Sequence, residues 1–429
     1  MTSLRRSPRR RGASSPERRA PAVPAATTRI FLAGVTLQSL GRGGQALAAF
    51  FTILILAAAL DAPALGLFGV YEAVFALVEV MVDGGSGNAL VRRAGARPES
   101  LRPTLRLALR FRAATGILGA AVVLGYTAFD PLVPASHPGL LICVLALASH
   151  LATTRTAVYH LKLRFGLPSM VRFATALAVL AVVASMVAAG ATDPIWLLAG
   201  AQATRAAGNL ALGAFAGRQL REWPRHGASD PGFVRECLAL GAGGLVREGY
   251  GRIDLILVRA LLGTAAAGLY TPVRKAFNLA LQLPSFIGII AMPALAARAA
   301  DNTSLRADCF RMARRLTLFS VPAALVAMPL APPFVDLALG PAFAETVLPL
   351  RILAWAAALV FPGSILTTGM VAQGAARAAL LLALTVLAIT ALANLALLPL
   401  CGLAGAAIAR LLAEAAALTG AWGYFRARP

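Results

Sequence analysis

Long apolar runs, separated by short polar stretches, organise this chain from about residue 30 to its end. A helix needs roughly 20 consecutive, mostly apolar residues to span the hydrocarbon core of a bilayer. About twelve runs satisfy that length: 30–58, 64–90, 106–128, 138–160, 168–190, 194–217, 234–261, 266–294, 312–332, 345–371, 377–398 and 401–425. The pattern predicts an all-α, polytopic membrane protein.

The polar stretches between the runs test this independently, because cytoplasmic loops collect Lys and Arg. Arg5, Arg6, Arg9, Arg10, Arg11, Arg18, Arg19 and Arg29 fill the N-terminal tail, and every second loop is basic. These loops carry Arg92, Arg93, Arg97 and Arg102; Arg155, Lys162 and Arg164; Arg218, Arg221 and Arg225; and Arg298, Arg306 and Arg311, followed by Arg426 and Arg428 at the C-terminus. The intervening loops are short and carry Asp61, Asp130, Asp193, Asp336 and Glu345 instead. The alternation predicts a multi-pass membrane protein with both termini cytoplasmic.

Composition agrees. The chain has 429 residues, 59% hydrophobic and 14% charged, against about a quarter charged in soluble domains. Its formal charge of +22 is almost entirely arginine, Lys162 and Lys275 being the only lysines. Such a charge could suggest nucleic acid, but here the cations fall between membrane-length runs, so no nucleic-acid partner is expected and the bilayer is. The Arg-, Pro-, Ala- and Ser-rich stretch 1–29 reads as a disordered basic tail, not as a cleaved twin-arginine signal.

Familiar chemistries are missing from the pattern. "DGGSGNALVRR" (83–93) has neither P-loop nor GxGxxG spacing; it reads as the cytoplasmic end of the second helix, with glycines for close packing and Arg92 and Arg93 at the headgroups. His137, His150, His160 and His226, and Cys143, Cys237, Cys309 and Cys401, have no metal-ligand spacing. No cofactor, metal site or catalytic residue is expected, and the chain reads as no enzyme.

Ionisable residues deep in membrane helices are expensive, by about 2.5–3.5 kcal/mol or more each, and mark cavities or partners. Gln38, Arg42 and Gln45 share one face of the first helix, and Glu72, Glu79 and Asp83 one face of the second. The seventh helix carries Arg247, Glu248, Arg252 and Asp254; the eighth carries Arg274, Lys275, Asn278 and Gln282. Arg205, and Arg410 with Glu414 one turn on, read as braces for helices 6 and 12. Pro272, Pro284, Pro293, Pro322 and Pro329 mark kinks that serve as hinges or as bends in packed helices.

The polar linker 221–233 has about six helices on either side, bundles 30–220 and 234–429, as expected of a duplicated transporter. "AALDAPALGLF" (58–68) laid on "ALLGTAAAGLY" (260–270) sets Gly66 on Gly268, and "GAQATR" (200–205) on "GAAIAR" (405–410) sets Arg205 on Arg410.

Four stretches carry a family resemblance: "LGLFGVYEAVFALVEVMVDGGSGNALVRR" (65–93), "RIDLILVRALLGTAAAGLYTPVRKAFNLALQLPSFIGIIAMPALA" (252–296), "LGPAFAETVLPLRILAWAAALVFPGSILTTGMVAQGAARAAL" (339–380) and "CGLAGAAIARLLAEAAAL" (401–418). Across them the chain resembles the O-antigen and exopolysaccharide (Wzx-like) flippases of the MATE-like MOP superfamily. The resemblance implies two six-helix bundles around a central cavity that opens alternately to each side, and a polyprenyl-pyrophosphate-linked oligosaccharide as cargo. Polysaccharide-assembly proteins are the partners it suggests. For a pyrophosphate headgroup the expected contacts are Arg42, Arg247, Arg252, Arg274 and Lys275, with Gln38 and Gln45 beside Arg42. Glu72, Glu79, Asp83 and Asp254 are the candidates for ion coupling, or else neutralise those cations. A multidrug or cation antiporter of the same superfamily would favour an acidic cavity. A membrane-embedded polysaccharide polymerase or ligase would carry a large outward loop, and every outward loop here is short.

Overall fold

A computed structural model describes residues 25–162, 164–220, 223, 232–299 and 301–427, with side chains from residue 36 onward. Residues 1–24 and most of the linker, including Arg221 and Arg225, lie outside the described residues. Within them the fold is all helix: α1 (Ala25–Ala59), α2 (Ala62–Asp83), α3 (Ser86–Ala96), α4 (Leu101–Ala128), α5 (Pro138–Leu147), α6 (His150–Thr153), α7 (Ala157–Leu161), α8 (Gly166–Ala188), α9 (Pro194–Gln219), α10 (Phe233–Leu262), α11 (Thr264–Ala280), α12 (Gln282–Ala297), α13 (Asn302–Ala338), α14 (Val347–Ala372) and α15 (Ala376–Arg426).

Nine helical stretches among the described residues are long and apolar enough to cross a membrane. The last, Ala376–Arg426, has 51 residues and would measure about 77 Å if straight. It is a hairpin: Gly402, at φ 58° and ψ −139°, reverses the chain just after Pro399, and Gly420 returns to lie against Leu382. Of the remaining crossings, α9 and α10 are long enough but too polar to count by apolarity. They are the helices carrying Gln202, Arg205 and Asn209, and Arg247, Glu248, Arg252 and Asp254. The expected twelve crossings are present, and the polar two hold much of the interior charge.

The outward faces show what solvent the helices expect. Ile117, Leu141, Leu318, Leu395 and Leu400 are exposed on α4, α5, α13 and α15, which suits lipid and would promote aggregation in water. At helix starts the loop carboxylates act as caps. Asp61 accepts from Ala64 N–H at 2.9 Å, and Asp193 from Ile195 and Trp196 N–H at 2.8 and 3.0 Å, with a proline in the first turn of each helix. Burial opposes ionisation of Asp193, but the hydrogen bonds from Trp196 N–H, His137 and Ile195 N–H outweigh it and hold the carboxyl below its usual range.

Two crossings are broken at one level. Gly84 and Gly85, at φ 48° and 73°, separate α2 from α3 in a backbone conformation that side chains resist. In the fourth crossing the backbone tightens after Leu147, with Ser149 N–H bonding to Ala146 O and Ala152 N–H to Ser149 O, both at 3.0 Å. Thr153 and Thr156 donate to carbonyls three residues back, at 2.8 and 2.7 Å, a habit that bends helices.

The first bundle, through α9, meets the second along α2, α10 and α11. Val70 and Val74 pack with Val258, Val273, Phe277 and Leu398 in one buried cluster. At the tightest point of this seam a Cβ on Gly66 would overlap the backbone of Thr264 and Gly268, and a Cβ on Gly268 that of Ala62. These are the positions that the overlay of the two halves equates, so the contact is reciprocal, as an axis between parallel repeats requires. Helix α10 ties the bundles at both of its ends. Its Glu236 meets Arg92 and Arg93, each at 2.6 Å; its Arg259 meets Asp130 at 2.6 Å and the Tyr126 hydroxyl at 2.8 Å.

Candidate substrate-binding cavity

A cavity of about 500 Å³ is bordered by α1, α2, α6, α8 and α9. Its polar wall is built by helical spacing. Glu72, Glu79 and Asp83 come from one face of α2, Arg205 and Asn209 from one face of α9, and Arg172 from the first turns of α8. Gln45 closes it from α1.

Two of the α2 carboxylates have a cation opposite, and the third faces a histidine. Glu72, buried, meets Arg205 at 3.2 Å through one oxygen and Lys275 of α11 at 2.7 Å through the other. Glu79 faces the His150 ring nitrogen at 3.9 Å. Asp83 pairs with Arg112 of α4 and accepts from Gly85 N–H at 3.1 Å. Arg112 is itself buried and joins the two helix breaks. It donates to Ser86 Oγ at 2.7 Å, to the His150 carbonyl at 2.8 Å and to Thr153 Oγ1 at 2.9 Å. A charged group at that depth persists only with its hydrogen bonds met, and the breaks supply the acceptors.

Arg42 and Arg172 are different. They line a smaller cavity of about 80 Å³ with Gln38, Gln45 and His160, and Arg172 also borders a third, of about 340 Å³, beside Asp83 and Asn88. Among the described residues neither arginine has a carboxylate partner. Gln45 donates to Gly41 O at 3.0 Å and lines the same space. Two guanidiniums without internal counter-ions, where three polar cavities adjoin, are suited to hold a polyanion.

The sequence-derived cations of the second bundle are placed otherwise. Arg274, almost fully buried, donates to Gly251 O at 2.9 Å and lies 3.9 Å from Asp254, which also accepts from the Tyr270 hydroxyl at 3.2 Å. Arg252 pairs with Glu248 one turn away. Arg247 is exposed and borders none of these cavities. Arg410 pairs with Glu414 at 3.0 Å and stacks on Tyr250, 4.0 Å from the ring centre, while Tyr250 donates its hydroxyl to Glu414.

Arg172, His150, Asn209 and Arg112 were not among the sequence candidates. A signal existed for some: Gln202, Arg205 and Asn209 recur at helical spacing, and Arg172 and Thr175 stand three apart on α8. For Arg112, within the arginine-rich start of α4, only the two breaks it joins mark it out.

Residues 55–348, well over half of the chain, match the family described as polysaccharide biosynthesis protein. The chain belongs to that family. No curated protein matches it in sequence. Among solved structures, the lipid II flippase MurJ in an inward closed conformation is similar at TM-score 0.73 and 11% identity, over 91% of this chain and 87% of that one. A multidrug resistance MATE transporter of the MOP superfamily, outward-facing, is similar at TM-score 0.69 and 12% identity, over 93% and 95%. A MOP superfamily transporter from Pyrococcus furiosus, described as having a binding pocket of reverse polarity, is similar at TM-score 0.67 and 12% identity, over 93% and 96%. These likenesses give the fold: this member of the polysaccharide biosynthesis family is a multi-pass, all-helical membrane protein with the helical architecture of those transporters.

Proposed function

We propose that this transporter is a flippase, carrying an oligosaccharide linked to a polyprenyl pyrophosphate across the bacterial cytoplasmic membrane by alternating access, with both termini in the cytoplasm. The observation that carries the reading is the pair of arginines without carboxylate partners, Arg42 and Arg172, beside a cavity of about 500 Å³. A pyrophosphate supplies the missing anion, and arginine's planar fork matches its oxygens. The cavity is within the ordinary range for ligand sites, about 300–1,000 Å³, and accommodates a headgroup with its first sugars while the polyprenyl chain stays in lipid. Membership of a polysaccharide biosynthesis family supports this cargo.

The antiporter reading draws on the three carboxylates of α2, but Glu72 and Asp83 are paired with cations and Arg172 lies on the same wall, so it is not acidic on balance. Deleting the gene and extracting lipid-linked sugars tests the proposal. Completed repeat units should accumulate on the cytoplasmic leaflet; an unchanged lipid-linked pool with altered drug tolerance would favour the antiporter instead. For the orientation, cysteines substituted at Asp61 and Asp193 should react with impermeant reagents from outside and one at Arg221 should not.

A further inference from the structure

The seam between α2 and α11 changes character along its length. At Gly66 and Gly268 the backbones touch, and one turn on Gly69 lies against Thr271, with no room for a side chain on either glycine. The next turn brings Glu72 against Lys275, where close packing gives way to an ion pair at the cavity wall. Glu72 divides its oxygens between the bundles, one to Arg205 of α9 and one to Lys275 of α11. Arg205 borders the cavity and its side chain is about one-third exposed; Lys275 lies behind Glu72, outside the lining.

We propose that Arg205 and Lys275 form a second phosphate-binding locus whose resting occupant is the Glu72 carboxylate, and that the substrate's pyrophosphate displaces Glu72 and so releases the tie between α9 and α11, while the ties at the ends of α10 hold. The inference rests on the flippase reading for the identity of the anion. One carboxylate against two cations leaves a net positive charge, whereas a pyrophosphate diester carries a negative charge on each phosphorus and neutralises both. It also offers more acceptor oxygens, which a charge-assisted site rewards. Removing Glu72 with nothing in its place would leave Lys275 buried and uncompensated and Arg205 without its counter-ion, so the tie opens only when another anion is present. A ligand shifts a conformational equilibrium only by its differential affinity for the two states; here the difference is the site itself, closed by Glu72 in one state and free in the other. The glycine contact stays as the pivot and the ion pair is the clasp, so displacement widens the cavity on the Lys275 side, adding room for a larger glycan.

The test uses the full chain in lipid nanodiscs, with inorganic pyrophosphate as the probe. Spin labels at Glu99→Cys and Ala297→Cys, in a Cys401→Ser background, report the distance between the bundles; the other cysteines are buried. Pyrophosphate should change that distance in the otherwise wild-type chain. Glu72→Gln should bind pyrophosphate about tenfold tighter and show no further change on binding, while Lys275→Gln and Arg205→Gln should each bind about tenfold more weakly. Equal or weaker binding by Glu72→Gln overturns the proposal. If that variant does not accumulate, unchanged affinity in both Lys275→Gln and Arg205→Gln overturns it instead. A chain that shows the expected pyrophosphate response but leaves lipid-linked sugars unaffected in the deletion strain would sink the flippase reading alone and keep the site.

Discussion

The two bundles differ in whether their cations have counter-ions inside the protein. In the second, the deeply placed cations are consumed by near neighbours: Arg274 by Gly251 O and Asp254, and Arg410 by Glu414 and the Tyr250 ring. In the first, Arg112 is consumed in the same way, but Arg42 and Arg172, both exposed, border cavities with no carboxylate partner among the described residues. A buried ion that is satisfied stiffens the structure, and removing its partner is costly. An ion left unsatisfied beside space is a place for a ligand. On the function proposed above, the second bundle braces and the first recognises, and Glu72 joins them.

The largest effect expected from this contrast is at Arg172. Arg172→Ala should accumulate normally yet lower glycan export about 10- to 100-fold, the worth of a charged hydrogen bond to substrate, and Arg172→Lys should recover part of it. Wild-type export by Arg172→Ala in a deletion strain would erase the distinction between the bundles. Arg42→Ala should lose about tenfold under the same assay, because Arg42 borders only the smaller cavity. Loss of protein instead of loss of export would make Arg42 a brace as well.

A paired comparison sharpens the point. Glu414→Gln leaves Arg410 buried without its counter-ion, which costs about 3–5 kcal/mol of stability, so thermal denaturation should shift downward while export per surviving molecule changes little. Glu79→Gln, next to His150 at the cavity, should leave stability intact and lower export per molecule about fivefold, a change of roughly 1 kcal/mol. Matching profiles for the two variants would contradict the division. The smallest effect is expected at Arg247, exposed and away from the cavities: Arg247→Ala should stay within about twofold of wild-type export, less than 0.5 kcal/mol. A larger loss would place recognition in the second bundle too.

Much of this architecture was legible in the order of residues. The apolar runs and their lengths anticipated the crossings, including α9 and α10, whose polar content hides them from a purely apolar criterion. The pairing of Gly66 with Gly268 in the two halves anticipated a reciprocal contact that the fold makes. The polar stripes of α1 and α2 do border cavities, Gln38 and Arg42 the smaller and Glu72, Glu79 and Asp83 the larger, with Gln45 on both. Arg205 read as a brace, and it does hold Glu72, but it does so from the cavity wall. Arg172 and Arg112 carried no distinguishing pattern, because an arginine near the start of a helix looks the same whether it meets headgroups, a helix break or a cavity.

What the sequence by itself determined is the solvent: a chain this apolar, with its arginines gathered between membrane-length runs, can satisfy its backbone in a bilayer only as helices. Periodicity then assigns each polar residue to a face. Which cation meets which anion was decided by tertiary structure alone, because the pairs that matter join residues far apart in the chain: Glu72 to Arg205 and Lys275, Arg112 to Asp83 and His150, Arg259 to Asp130. A charge in a membrane helix states only that a partner is needed. Helix packing determines whether that partner is already in the protein or must arrive with the substrate.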